Sequence, residues 1–133
     1  QLQRELTAEK VPFRSDIQYG IMVETPAAAV MSDVLAEEVD FFSIGTNDLT
    51  QYTMAADRMN AQVSDLFDPA DPAVLRLIEL TAKNAHAAGI WVGICGESAA
   101  NTALTDFYMS VGIDELSVSP ASVPAVKRAI IKC

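Results

Sequence analysis

An α/β fold built on a parallel sheet is predicted by three features of the sequence. Four short apolar runs, Tyr19–Glu24, Phe41–Gly45, Ile90–Cys95 and Glu115–Ser119, recur along 133 residues. Helix-forming segments separate them. Three of the runs end in residues that can carry chemistry. Continuous apolar strands alternating with helices imply a parallel sheet covered on both faces. The length suits one domain.

Each element has its own signal. Residues 1–16 are charged, and their front half predicts a helix ahead of the sheet. After the strand Tyr19–Glu24, Thr25 and Pro26 supply an N-cap and a first-turn proline. The segment that follows, PAAAVMSDVLAEEV, predicts a helix with Val30, Val34 and Leu35 on its inner face. Phe41–Gly45 is the second strand and runs into Thr46, Asn47 and Asp48. Residues 49–70 show no clear period and predict a long loop with room for a short helix. Asp71-Pro72 opens a helix with Val74, Leu77, Ile78, Thr81 and Ala85 as its stripe, and Gly89 stops it. Ile90–Cys95 is the third strand and runs into Gly96 and Glu97. Thr102–Val111 predicts a helix facing Leu104, Phe107, Tyr108 and Val111 inward, with Gly112 as its stop. Glu115–Ser119 is the fourth strand, and Ser122 caps a last helix that contains Val126, Ile130 and Ile131.

Composition removes several function classes. Half of the residues are hydrophobic and 20% are charged, which is globular rather than disordered. The net charge of -9 disfavours nucleic acid and anionic membranes as partners. No apolar run approaches the roughly 18 residues of a membrane span. No basic-then-apolar leader opens the chain. An opening on Gln1 rather than Met reads as a piece of something longer. The two cysteines, Cys95 and Cys133, are too few for a disulfide scaffold and read as free thiols of the cytoplasm.

The strand ends carry the functional signal: Glu24, then Asn47-Asp48, then Cys95-Gly96-Glu97. In parallel α/β architectures, sites gather at the carboxyl ends of strands. Glu24 and Asp48 stand 24 positions apart, one strand–helix unit, which sets two carboxylates side by side. Such a pair repels unless a cation or proton lies between its members. Two carboxylates that leave other positions to water and substrate oxygens suit Mg²⁺. The spacing fits ordinary helix capping equally well. Cys95 has three readings: nucleophile, proton donor or inert buried thiol. The single histidine, His86, lies on a polar helix edge far from Cys95 in sequence, so a Cys–His hydrolase has no support. Arg58 could clamp a phosphate from its loop or form a surface ion pair. No P-loop, GxGxxG, CxxC, HExxH or GxSxG pattern occurs.

Three strings together resemble a known family. GIMVETPAA at 20–28, FFSIGTNDLTQYTMAADR at 41–58 and GICGE at 93–97 are similar to the PEP-utilising enzymes. Within that family they resemble the phosphotransferase branch, Enzyme I of the bacterial sugar phosphotransferase system. The resemblance runs from about residue 18 to residue 132 with its motifs in family order. It implies that the four strands are the last four of a TIM-type (β/α)8 barrel, strands five to eight, with residues 1–16 as the remnant of the preceding helix. A whole barrel takes about 250 residues, so the chain reads as a C-terminal half-barrel over residues 17–133.

The resemblance also implies roles. Glu24 and Asp48 match the family's Mg²⁺ ligands, Asn47 and Asp48 its PEP-contacting pair and Arg58 an arginine that holds the PEP phosphate. Cys95 matches the acid that protonates the enolate to pyruvate. The implied reaction moves phosphoryl from PEP to a histidine of a separate domain and on to the carrier HPr, in a cytoplasmic homodimer. The family's other phosphate-binding arginines belong to the first half of the barrel, and His86 does not match the phosphorylated histidine. The isolated chain is therefore expected to be inactive. Two other classes share these motifs: a non-catalytic fragment or assembly module, and a piece of a pyruvate phosphate dikinase or PEP synthase. An open half-barrel is further expected to expose strand edges and an apolar face among Ile21, Val23, Phe42, Ile44, Val92 and Ile94, which invites self-association.

Overall fold

In a computed structural model describing residues 1–133, four strands pair in sequence order, all parallel. They are β1 (Gly20–Val23), β2 (Phe41–Gly45), β3 (Trp91–Cys95) and β4 (Glu115–Leu116). Val23 stands opposite Ile44, Ile44 opposite Ile94, and Ile94 opposite Leu116. Each connection is a helical crossover. Such crossovers are right-handed, so a sheet wound in one direction carries its helices on one face.

Those helices are α1 (Leu2–Ala8), α2 (Pro26–Val30), α3 (Ser32–Leu35), α4 (Thr46–Met54), α5 (Pro72–Ala87), α6 (Thr105–Ser110) and α7 (Val123–Ile130). Thr25 caps α2 by accepting from the Ala28 N–H at 3.2 Å, and Asp71 caps α5 by accepting from the Ala73 N–H at 2.7 Å. The stripe of α5 packs down as its spacing predicts, with Val74, Ile78, Thr81 and Ala85 buried and Leu77 half-buried. Asn84 of α5 donates to the Ser32 hydroxyl at 2.9 Å and ties α5 to α3.

Four expectations are corrected. First, the sheet is covered on one face rather than two. Second, the apolar residues expected on the open face lie on the other side. Val23, Phe42, Ile44 and Val92 are fully buried and Ile94 nearly so, all under the helices, with Ile21 half-buried beside them. The open face carries the alternate positions: Met22, Ser43, Gly93 and Glu115 in one row. Third, the short helix allowed for in residues 49–70 starts earlier, directly at the end of β2, and runs nine residues as α4. It stops at Ala55, whose φ of 51° is left-handed. Fourth, Val30 and Val34 are exposed, while Ala29, Ser32 and Ala36 are buried. The helix breaks at Met31 between α2 and α3, and the break rotates the inward face onto the small residues.

Candidate active site

The carboxyl ends of β1, β2 and β3 meet in one row. Gly45 pairs with Cys95, and Glu24 follows the Val23–Ile44 pair, which sets it opposite Gly45. A side chain at Gly45 would place its Cβ 3.0 Å from the Glu24 Cβ, 3.0 Å from the Met22 sulfur and 3.1 Å from Glu24 Oε2. The missing side chain leaves a cradle into which the Glu24 carboxylate leans. Asp48 is half-buried in the first turn of α4, where the helix dipole favours a negative charge. Glu24 and Asp48 thus stand just past the ends of the adjacent strands β1 and β2, and carboxylate oxygens are the donor type that hard divalent cations take. No third His, Cys, Asp or Glu joins them.

The next corner is stitched by hydrogen bonds. Thr46 donates from Oγ1 to the Cys95 carbonyl at 3.0 Å. Ser98 donates to Thr46 Oγ1 at 2.7 Å, and Tyr108 donates to Ser98 Oγ at 2.9 Å. All three hydroxyl residues are buried. Burial raises the Tyr108 phenol above its usual range, and its bond to Ser98 offsets part of the rise. Asn47 Oδ1 accepts from the Glu97 N–H at 3.2 Å. Between them Gly96 turns at a φ of 107°, and a Cβ there would lie 2.7 Å from Thr46 Oγ1. Glycine is required at that turn both by the backbone angle and by the contact. The chain from Tyr108 to the Cys95 carbonyl thereby fixes where Cys95 and Asn47 sit.

Cys95 is a free, half-buried thiol. The Ser43 hydroxyl donates to its sulfur at 3.3 Å, and its own S–H donates to the Ile44 carbonyl at 3.5 Å. Arg58 lies exposed in the turn after α4, outside the two ion pairs of the chain, Arg14–Asp16 and His86–Asp114. Of the residues singled out in the sequence, Glu24, Asn47, Asp48 and Cys95 gather at adjacent strand ends. Arg58 is not brought into contact with them. His86 is remote: it bonds Asp114, which also accepts from the Val92 N–H at 2.9 Å near the opposite end of β3. The sequence reading gave no site role to Ser43, Thr46, Ser98 or Tyr108, although it set Thr46 at the end of β2 and faced Tyr108 inward, and Ser43 stood out as a polar residue inside an apolar run.

The PEP-binding domain of the PEP-utilising enzymes matches the whole chain, residues 1–133. The chain belongs to this family. Relatives within the family bear it out. The chain is 56% identical over 119 residues to the phosphoenolpyruvate-protein phosphotransferase of Lactococcus lactis subsp. lactis (strain IL1403), covering 90% of this chain and 21% of that protein. It is 57% identical over 118 residues to the protein of the same name from Streptococcus equinus, covering 89% and 20%. Against that of Buchnera aphidicola subsp. Acyrthosiphon pisum (strain APS) the identity is 47% over 131 residues, covering 98% and 23%. The chain therefore spans about a fifth of the length of these relatives.

Proposed function

We propose that the chain is the C-terminal half of the PEP-binding (β/α)8 barrel of a phosphoenolpyruvate–protein phosphotransferase. One observation carries the reading furthest: Glu24, the Gly45 cradle and Cys95 lie in a single row at the carboxyl ends of adjacent strands. Sites of closed parallel barrels lie at that end. The relatives bearing the phosphotransferase name support the activity assigned to the whole protein.

In this reading Glu24 and Asp48 hold Mg²⁺, whose charge offsets that of PEP oxygens and of the enolate when it is bound. Asn47 and Asp48 orient the substrate, with Asn47 already anchored at the Glu97 N–H. Arg58 holds the phosphoryl oxygens with its planar fork, which requires its turn to fold over the strand ends. The phosphoryl leaves to a histidine outside this chain and passes on to HPr. Cys95 gives its proton to the methylene carbon of the enolate, which makes pyruvate. That role needs a protonated thiol at rest, and the S–H directed to the Ile44 carbonyl fits it. The whole protein works as a cytoplasmic homodimer.

The test is made in the whole protein. Glu24→Ala and Asp48→Ala should each abolish Mg²⁺-dependent PEP turnover. Cys95→Ala should keep PEP binding and lose pyruvate formation by about 10²–10⁴-fold, the usual worth of a general acid. Near-normal turnover in the carboxylate variants, or a Cys95→Ala loss below about threefold, overturns the assignment.

A further inference from the structure

Once Cys95 has given up its proton, its sulfur carries a negative charge in a half-buried place. Burying an uncompensated charge is costly. The charged side chains nearest it on the open face are carboxylates, and one of them, Glu24, is committed to Mg²⁺ in the reading above. The Glu24 carboxylate leans over Gly45, the residue paired with Cys95, and Glu115 lies beside Gly93, the residue two before it. No cation contacts the thiol, and His86 is held by Asp114 at the far end of the strand. One side-chain donor reaches the sulfur: the hydroxyl of Ser43, on the neighbouring strand β2, at 3.3 Å.

We propose that Ser43 is the hydrogen-bond donor that stabilises the Cys95 thiolate formed when the enolate is protonated. The proposal rests on the Cys95 assignment above. In the step, the S–H bond of Cys95 breaks and a C–H bond forms at the methylene carbon from the carbon–carbon π pair of the enolate. The enolate C–O⁻ becomes the carbonyl of pyruvate, and the negative charge passes to Sγ. The Ser43 O–H already points at that sulfur, so no group has to reorganise to meet the charge. A donor of this kind strengthens when its acceptor becomes ionised. A proton from water then restores the thiol. The geometry gives Ser43 a freedom that a capping or packing serine lacks: its hydroxyl has no other partner. Gly93, opposite it in register, keeps the adjoining strand from covering it.

The experiment uses the whole protein with Ser43→Ala, Ser43→Thr and Cys95→Ala. Ser43→Ala should lower kcat for pyruvate by about tenfold or more, as expected for a bond to a charged group. The KM for PEP should stay within about twofold, because the bond matters in the transition state and not in binding. Ser43→Thr, which keeps the hydroxyl, should recover most of the rate. If Cys95→Ala is inactive but Ser43→Ala keeps the normal rate, the role of Ser43 is overturned and that of Cys95 stands. If Cys95→Ala turns over normally, both fall. A failure of Ser43→Thr to restore the rate, with an unchanged melting profile, also overturns the proposal.

Discussion

The two faces of the sheet are built from the same strands, one residue out of step, and they differ sharply over the last residues of β2 and β3. Under the helices stand Val23, Phe42, Ile44, Val92 and Ile94, branched or aromatic and without solvent contact beyond a trace. On the open side, toward the carboxyl ends of β2 and β3, stand Ser43, Gly45, Gly93 and Cys95, small or polar, while Phe41 and Trp91 are the large apolar residues at the amino end of that face. The first set gains its free energy from apolar area removed from water. The second gives up that gain and leaves open space at the strand ends, where the proposed site lies. One strand therefore serves stability and chemistry at once, and period-two alternation divides the labour.

Four substitutions break or sharpen this contrast, one of them as a control. The largest effect belongs to the covered face. Phe42→Ala should destabilise the protein by about 3–5 kcal/mol, the range for emptying a buried aromatic site. Ser43→Ala, one residue away, should move the urea midpoint far less. Equal losses at the two positions would end the distinction between the faces. Gly96→Ala comes next. Its φ of 107° and the 2.7 Å approach to Thr46 Oγ1 would both be violated. A cost of about 1–3 kcal/mol is expected from the backbone strain, together with, in the whole protein, loss of the proposed PEP turnover as the Thr46 and Asn47 anchors shift. Intact activity in that variant would show that the corner tolerates movement.

The smallest effect is at Tyr108, on the helix side but bonded toward the site. Tyr108→Phe removes the start of the hydroxyl chain and should cost about 1 kcal/mol at neutral pH. The phenol is raised above its ordinary value by burial. The folded state therefore holds that proton more tightly than the unfolded chain does. Its contribution is complete below about pH 10, the ordinary tyrosine value, and is lost as pH climbs through the raised folded value. Urea titrations from pH 9 upward (about one unit below that ordinary value) should show a shallower alkaline decline in Tyr108→Phe. An identical decline would assign the alkaline loss to other groups.

Much of this arrangement was legible in the chain, and the misreadings share a cause. The strands β2 and β3 and the helix α5 stood out because apolar runs and a helical stripe are local patterns. Glu24, Asn47, Asp48 and Cys95 were legible because parallel strands deliver their last residues to one edge. Which face each strand residue takes was misread, although FFSIG and WVGIC both alternate bulky with small: Phe42 and Ile44 against Ser43 and Gly45, Val92 and Ile94 against Gly93 and Cys95. Read as continuous runs, they lose that alternation. The start of α4 was misplaced because TNDLTQYTM has few apolar residues, and the helix follows β2 without a loop. The break at Met31 depends on how α2 and α3 pack on α5, which no local pattern records. The chain Tyr108–Ser98–Thr46 joins residues up to 62 positions apart, from 46 to 108, and only the folded chain brings them together.

Trp91, the only tryptophan, stands at the amino end of β3 on the open face. Its ring stacks on Phe41 with centroids 4.3 Å apart and planes 8° from parallel. Phe41 in turn fills the place where a side chain of Gly20 would stand. The indole N–H reaches Gln18 at 3.4 Å, and the ring is only half-buried. Its emission colour therefore depends on whether that face is wet. A segment that closes over the Gly20–Phe41–Trp91 row would dry the indole and shift its fluorescence to the blue. The sheet thus carries its own optical gauge of closure, at the end opposite the chemistry, where a label-free titration can follow assembly without disturbing the site.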